Sequence, residues 1–254
     1  MHAADYLVYA HLQRGEDRKA VKVRDALARI QDRVQPDLAA AYAFAAVPAR
    51  IALERQRWAD AMTLRPRTPS SYPWDSAPAI EAITHFARAL GAARLGRIEL
   101  ARKEIDELAV LRGKAAVAAP YWDTQVEIQR TAALAWTLFA ERKRDEAITT
   151  MRQSADLESS TDKHPVTPNE VLHARELLAD MLLEIGDHAG AQKEYEATLV
   201  RSPRRLNSLF GAGRAAELRD DDATATRFYR TLVETTVEAD TVSDSLKWAR
   251  NFLR

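Results

Sequence analysis

The chain has 254 residues, 46% hydrophobic and 29% charged, which supplies enough apolar material for a buried core and excludes wholesale disorder. Lys plus Arg and Asp plus Glu both number 37, so there is no basic field of the kind that neutralises a phosphate backbone, and nucleic acid is not expected as a partner. With no cysteine, disulfides, thiolate metal sites and a cysteine nucleophile are excluded.

Self-similarity organises the rest of the reading. GDHAGAQKEYEATLVRSP, from Gly186, aligns with DDDATATRFYRTLVETTV, from Asp220, so that Ala191 falls on Ala225, Tyr195 on Tyr229 and, upstream, Ala179 on Gly213, each 34 residues apart. Small residues recur where closely packed helices cross, because a crossing leaves little room for side chains. Equivalent alanines at Ala20, Ala61, Ala101 and Ala147 extend the pattern to six helix pairs.

In chain order, the first pair is expected over 1–34, with Val8 at its crossing. The opening stretch, MHAADYLVYAHLQRGEDRKA, has no basic segment followed by an apolar one, and no run approaches the roughly 18 apolar residues of a membrane span. The chain is therefore expected to be soluble with no membrane span. Met1 leads almost directly into an amphipathic pattern, which leaves open whether an export signal or earlier repeats have been trimmed. The location would be cytoplasmic as the chain stands and periplasmic if a signal was removed.

The second pair covers 37–64 with Ala49 at its crossing, and Pro48 inside it is expected to kink the helix, since its ring displaces the Phe44 carbonyl. RPRTPSSYPWDSAP, from Arg65 to Pro78, holds four prolines and reads as a loop that carries Trp74. Pairs follow over 78–113, crossing at Ala89, and 120–158, crossing at Ala135. The insert SSTDKHPVTPNE then leads into a fifth pair over 169–202, with Thr167 as N-cap, Pro168 at the first helical position and Glu170 closing a capping box. The sixth pair spans 204–237. A final helix over 241–253, with Leu246, Ala249, Phe252 and Leu253 on one face, would cap the open end of a repeat array.

On these residues the chain resembles tetratricopeptide-repeat proteins over nearly its whole length, best from Leu172 to Pro203. Through PARIALERQRW, HFARALGAARLG, YWDTQVEIQR and TDKHPVTPNEVLHARELLADMLLE it also resembles an uncharacterised bacterial family of such proteins. The resemblance implies an all-α fold, a right-handed solenoid of about six helix pairs in which the first helix of each pair lines a concave groove. It also implies an export signal and histidine-bearing repeats upstream, neither of which lies within these residues. The groove would then hold His2, Asp5, Tyr9, Arg50, Glu54, Phe86, Arg94, Gln129, Trp136, His173, Glu176, Asp180, Asn207, Phe210 and Arg214. Mixed charge with interleaved aromatics suits an extended peptide.

Each candidate has a structural alternative. Arg50 and Glu54, four apart, make an ordinary intrahelical pair as readily as a binding pair. Tryptophans at helical spacing belong more often to a core, whereas Trp74 in its loop is a contact for a partner if unburied. Lys163 and His164, delivered by a loop beside a helix N-terminus, suit an anion, but the capping box already explains that loop. The six histidines show no pair at zinc-protease spacing, and no nucleophile elbow or phosphate loop is present, so no metal, cofactor or catalytic residue is expected; Gly211 and Gly213 read as packing positions. The leading expectation is a scaffold that binds a protein or peptide segment through Tyr9, Arg50, Phe86, Trp136, His173, Glu176, Asp180, Phe210 and Arg214. The alternative is a small-molecule or metal-dependent activity around His85, His164, His173 and Glu176, completed by upstream repeats. Self-association is a third reading.

Overall fold

Six backbone turns of one design explain how the chain is laid out. Residues Gly15, Gln56, Gly96, Arg142, Gly186 and Asp220 each adopt a left-handed φ between 50° and 88°. In each turn the next amide donates to the carbonyl five residues back, at 2.8 to 3.1 Å: Glu16 to His11, Arg57 to Ala52, Arg97 to Ala92, Lys143 to Leu138, Asp187 to Leu182 and Asp221 to Ala216. This is the Schellman closure that ends one helix and frees the chain to start another. Five residues after each left-handed position stands an alanine, Ala20, Ala61, Ala101, Ala147, Ala191 or Ala225, and all six are fully buried. Glycine supplies the left-handed conformation in three turns without a Cβ penalty; Gln56, Arg142 and Asp220 carry that penalty in the others.

The computed structural model describes every residue except 31, 32, 119, 163, 166 and 169. Among the described residues there are thirteen α-helices and no strand. They are α1 His2–Gln13, α2 Asp17–Ile30, α3 Leu38–Glu54, α4 Trp58–Met62, α5 Pro78–Arg94, α6 Ile98–Ala118, α7 Pro120–Ala140, α8 Arg144–Ser159, α9 Ala174–Glu184, α10 His188–Arg201, α11 Leu206–Glu217, α12 Asp222–Thr235 and α13 Asp244–Phe252. None of them is long and apolar enough to cross a membrane.

Contacts divide the chain into two units, Met1–Val8 with Val23–Ala174, and Tyr9–Lys22 with Arg175–Arg254. Within the first, α5 packs on α3, α4, α6 and α7, and α7 also on α6 and α8. The crossing residues Ala49, Ala89 and Ala135 are fully buried. Gly91 lets α4 and α5 approach backbone to backbone: a Cβ there would stand 2.6 Å from the Trp58 carbonyl oxygen and 2.7 Å from the Met62 nitrogen. Pro48 lies within α3, which continues unbroken to Glu54.

In the second unit α11 packs against both α10 and α12, and α13 against α12 and α11. Gly211 faces the ring of Tyr195 from α10, and Gly213 faces the ring of Tyr229 from α12. The α1–α2 turn belongs here: Asp240 accepts from the Arg18 and Lys19 amides at 3.0 and 3.3 Å, and the Asp240 amide donates to the Gly15 carbonyl. Ser243 caps α13 through the Leu246 amide, and Leu246 and Ala249 are buried beneath it.

One boundary differs from the sequence reading. The helix expected to start at Pro168 starts at Ala174. Its first amide is met not by Thr167 but by Glu158, whose Oε2 accepts from the Ala174 nitrogen at 2.9 Å. Thr167 is buried, and its carbonyl accepts a hydrogen bond from the Tyr6 hydroxyl. A helix N-terminus needs an acceptor, but that acceptor can come from a neighbouring helix, and here it does.

Candidate functional site

In the first unit, the predicted groove residues Arg50 and Phe86 gather on one face made by α3, α5 and α7, and this face is filled by the chain's own segment ahead of α9. Arg50 is fully buried. Its Nε and Nη2 donate to the two carboxylate oxygens of Asp5 at 2.8 Å each, and its Nη1 donates to the Glu170 carbonyl at 2.9 Å. Burial alone would lower the guanidinium's pKa, but the Asp5 carboxylate overrides it and the pKa rises. Tyr6 secures the same segment, its hydroxyl lying 3.0 and 2.9 Å from the Pro165 and Thr167 carbonyls. Burial, and then the Asp5 charge, push the neighbouring Tyr42 hydroxyl well above its ordinary pKa.

Between segment and helices lies a cavity of about 30 Å³, bounded by Ile83 and Phe86 of α5, Ile128 and Gln129 of α7, and Val171 and Leu172 of the segment. Val171 and Leu172 are buried there. The Gln129 Oε1 is buried with no hydrogen-bond partner among the described residues. Glu158, Glu170 and His173 meet at the edge of this region. Their ligand-capable atoms all lie within 4.8 Å of one another, with His173 Nδ1 at 3.5 Å from Glu158 Oε1 and 3.2 Å from Glu170 Oε2.

Other candidates in this unit lie in structural surroundings. Trp136 is 2% exposed under the Arg94 guanidinium, which sits 4.1 Å above its ring, and its indole nitrogen has no partner among the described residues. Trp74 is corrected from a loop contact to a core residue. It is 4% exposed, donates to the Pro69 carbonyl at 2.8 Å, and its ring lies 4.9 Å from that of Tyr72. A proline-rich loop can fold its own small core, and here it does. Lys163 lies outside the described residues. His164 is half-buried against Tyr121 and Trp122, with ring centroids 5.6 and 5.0 Å away. Glu54 is buried.

In the second unit Glu176 is buried and receives both Nε and Nη2 of Arg205, at 2.7 and 2.8 Å, and the Ser208 hydroxyl. Tyr9, Asp180, Asn207, Phe210 and Arg214 are half-buried. Asp180 accepts from the Tyr195 hydroxyl at 2.5 Å. Arg214 pairs with Glu217 at 2.8 Å and lies 4.6 Å over the exposed Trp248 ring. Burial works against the Glu217 carboxylate, but hydrogen bonds from Tyr229, Trp248 and Arg214 prevail and hold its pKa low.

The set His85, His164, His173 and Glu176 is dispersed among separate partners. His85 Nδ1 lies 2.7 Å from Glu104, with Glu81 at 3.9 Å. Burial disfavours its charge, yet these two carboxylates outweigh that and raise its pKa to about 9. Sequence reasoning missed Glu158 and Glu104 altogether and read Glu170 only as part of a cap. The acid and histidine three apart at Glu170 and His173 were the one available signal, and it is weak. The chain matches no protein-family model and no curated protein.

Proposed function

We propose that this chain is a tetratricopeptide-like solenoid that acts as a scaffold for an extended segment of a partner polypeptide. The observation that carries the reading is the occupant of the α3, α5 and α7 face. The chain's own segment lies there, held through backbone carbonyls by Tyr6 and Arg50 and through apolar side chains at Val171 and Leu172. Main-chain hydrogen bonds combined with side-chain pockets are the means by which a surface recognises an extended chain. The six like turns and the contacts of α3 with α5 and α5 with α7 also support a tetratricopeptide-like stacking.

In the second unit α9 and α11 leave Asp180, Phe210 and Arg214 partly exposed, an acid, an aromatic and a base. These three side chains are the ones through which the partner would bind. Selection from a displayed library of random peptides, followed by binding to wild type and to a folded Phe210→Ala/Arg214→Ala variant, tests the assignment. A common sequence pattern that binds wild type at least about 10-fold more tightly than the variant, roughly 1.4 kcal/mol, is expected. No enriched pattern, or equal binding to both proteins, would overturn it.

A further inference from the structure

We propose that Glu158, Glu170 and His173 form a binding site for a divalent transition-metal ion, with Zn²⁺ as its natural probe. The spacing is the first argument. His173 Nδ1 stands 3.5 and 3.2 Å from oxygens of two glutamates, and the three ligand-capable atoms all lie within 4.8 Å of one another. Bonds of about 2.0–2.1 Å at a tetrahedral angle separate neighbouring ligand atoms by roughly 3.3 Å, which the two histidine–glutamate separations match to within a few tenths of an ångström. One imidazole and two carboxylates are a donor set that Zn²⁺ accepts readily.

The second argument is that the ligands are held from behind. Glu158 spends its Oε2 on the Ala174 amide at 2.9 Å, which turns its Oε1 toward His173. Glu170 is fixed through its carbonyl by Arg50, itself clamped by Asp5. Contacts of this kind, behind the side chains that touch a metal, orient those side chains and tune their affinity. Glu158 and His173 are each 3% exposed, so two carboxylates approach one another in a site shielded from water, where a cation compensates their charge.

The third is space and an acceptor for a fourth ligand. Glu158 and Glu170 both border the 30 Å³ cavity, which has room for one or two waters, and Gln129 Oε1 on its wall has no partner among the described residues. A metal-bound water placed there would complete the coordination and donate to Gln129. The site is independent of the scaffold reading, because it needs no partner polypeptide.

The test is equilibrium dialysis of chelator-treated protein against Zn²⁺, with metal content measured per chain and thermal unfolding followed with and without Zn²⁺. Wild type should retain one ion per chain and unfold at a higher temperature when it is present. Glu170→Gln, which keeps the backbone bond to Arg50, and His173→Asn should each bind more than about 10-fold more weakly. If His173→Asn fails to fold, Glu170→Gln alone decides, supported by loss of the visible absorption of tetrahedral Co²⁺. No stoichiometric binding by wild type, or binding unchanged in folded Glu170→Gln, would overturn the proposal.

Discussion

Replacing Gly211 by alanine sets two effects of opposite sign against each other. In an exposed helix interior the change would stabilise by about 1 kcal/mol, because glycine loses more backbone freedom on folding. Here the new Cβ would stand 2.6 Å from Tyr195 Cε2 and nearer still to Cε1 and Cζ, so the ring must retreat by about 1 Å to regain ordinary contact. The ring has nowhere to go. Tyr195 is 2% exposed and its hydroxyl is tied to Asp180 at 2.5 Å. Overpacking of this kind costs roughly 1–3 kcal/mol or more, and a lost hydrogen bond adds about 0.5–1.5 kcal/mol. Gly211→Ala should therefore destabilise by about 1–3 kcal/mol net. In a Tyr195→Ala background the obstruction is gone, and the same change should stabilise by up to about 1 kcal/mol. Urea unfolding of the four proteins closes the cycle, with Tyr195→Leu as a second background. Stabilisation by Gly211→Ala in the protein that keeps Tyr195 would refute the steric argument.

Gln56→Gly should raise stability by about 0.5–1 kcal/mol in urea unfolding, since it removes the cost of a left-handed Cβ from an exposed side chain; destabilisation would contradict the turn assignment. Asp240→Ala removes the Arg18 amide's Asp240 acceptor and one of two acceptors of the Lys19 amide, which also donates to the Glu16 carbonyl, and should cost about 1 kcal/mol, with faster hydrogen exchange at the Arg18 amide as the local check. The pKa of His85 is about 9 in the folded chain against an ordinary 6.5, so its contribution is complete below about pH 6.5 and is lost as pH rises through 9. The stability profile of His85→Gln should be flatter across that window, and an NMR titration of the His85 ring with a midpoint near 6.5 would refute the assignment. Gly91→Ala should cost about 3 kcal/mol, with no rescue from shortened side chains, because its Cβ meets backbone atoms of α4.

The positions of the turns were legible because they are marked by small residues with few other readings. Ala179 and Gly213, Ala191 and Ala225, and Tyr195 and Tyr229 are all buried at matching positions, and the alanines traced back to Ala20 mark six like turns. The candidate site was far less legible. Helical phase can place Arg50, Phe86 and Glu176 on one side of their helices, but it says nothing of what covers that side. Asp5 and the Glu170 carbonyl cover Arg50, and Arg205 and Ser208 cover Glu176, at separations of 29 residues or more that no local pattern encodes. The start of α9 failed for the same reason. A capping box is a local signal, and a carboxylate sixteen residues upstream took its place. The burial of Trp74 depends on the loop folding around it, which its four prolines permit but do not announce.

The docking of Gly15 and the Arg18 and Lys19 amides against Asp240 brings residues from opposite ends of the chain into one unit. During synthesis, then, Tyr9–Lys22 leave the ribosome more than two hundred residues before the aspartate that receives them. Leu12, almost fully buried at the end, is available to solvent or to a chaperone throughout that interval. A fragment beginning at Arg175 would carry five helices and still lack a wall of its own unit, and supplying residues 9–22 as a separate peptide would restore what the fragment lacks.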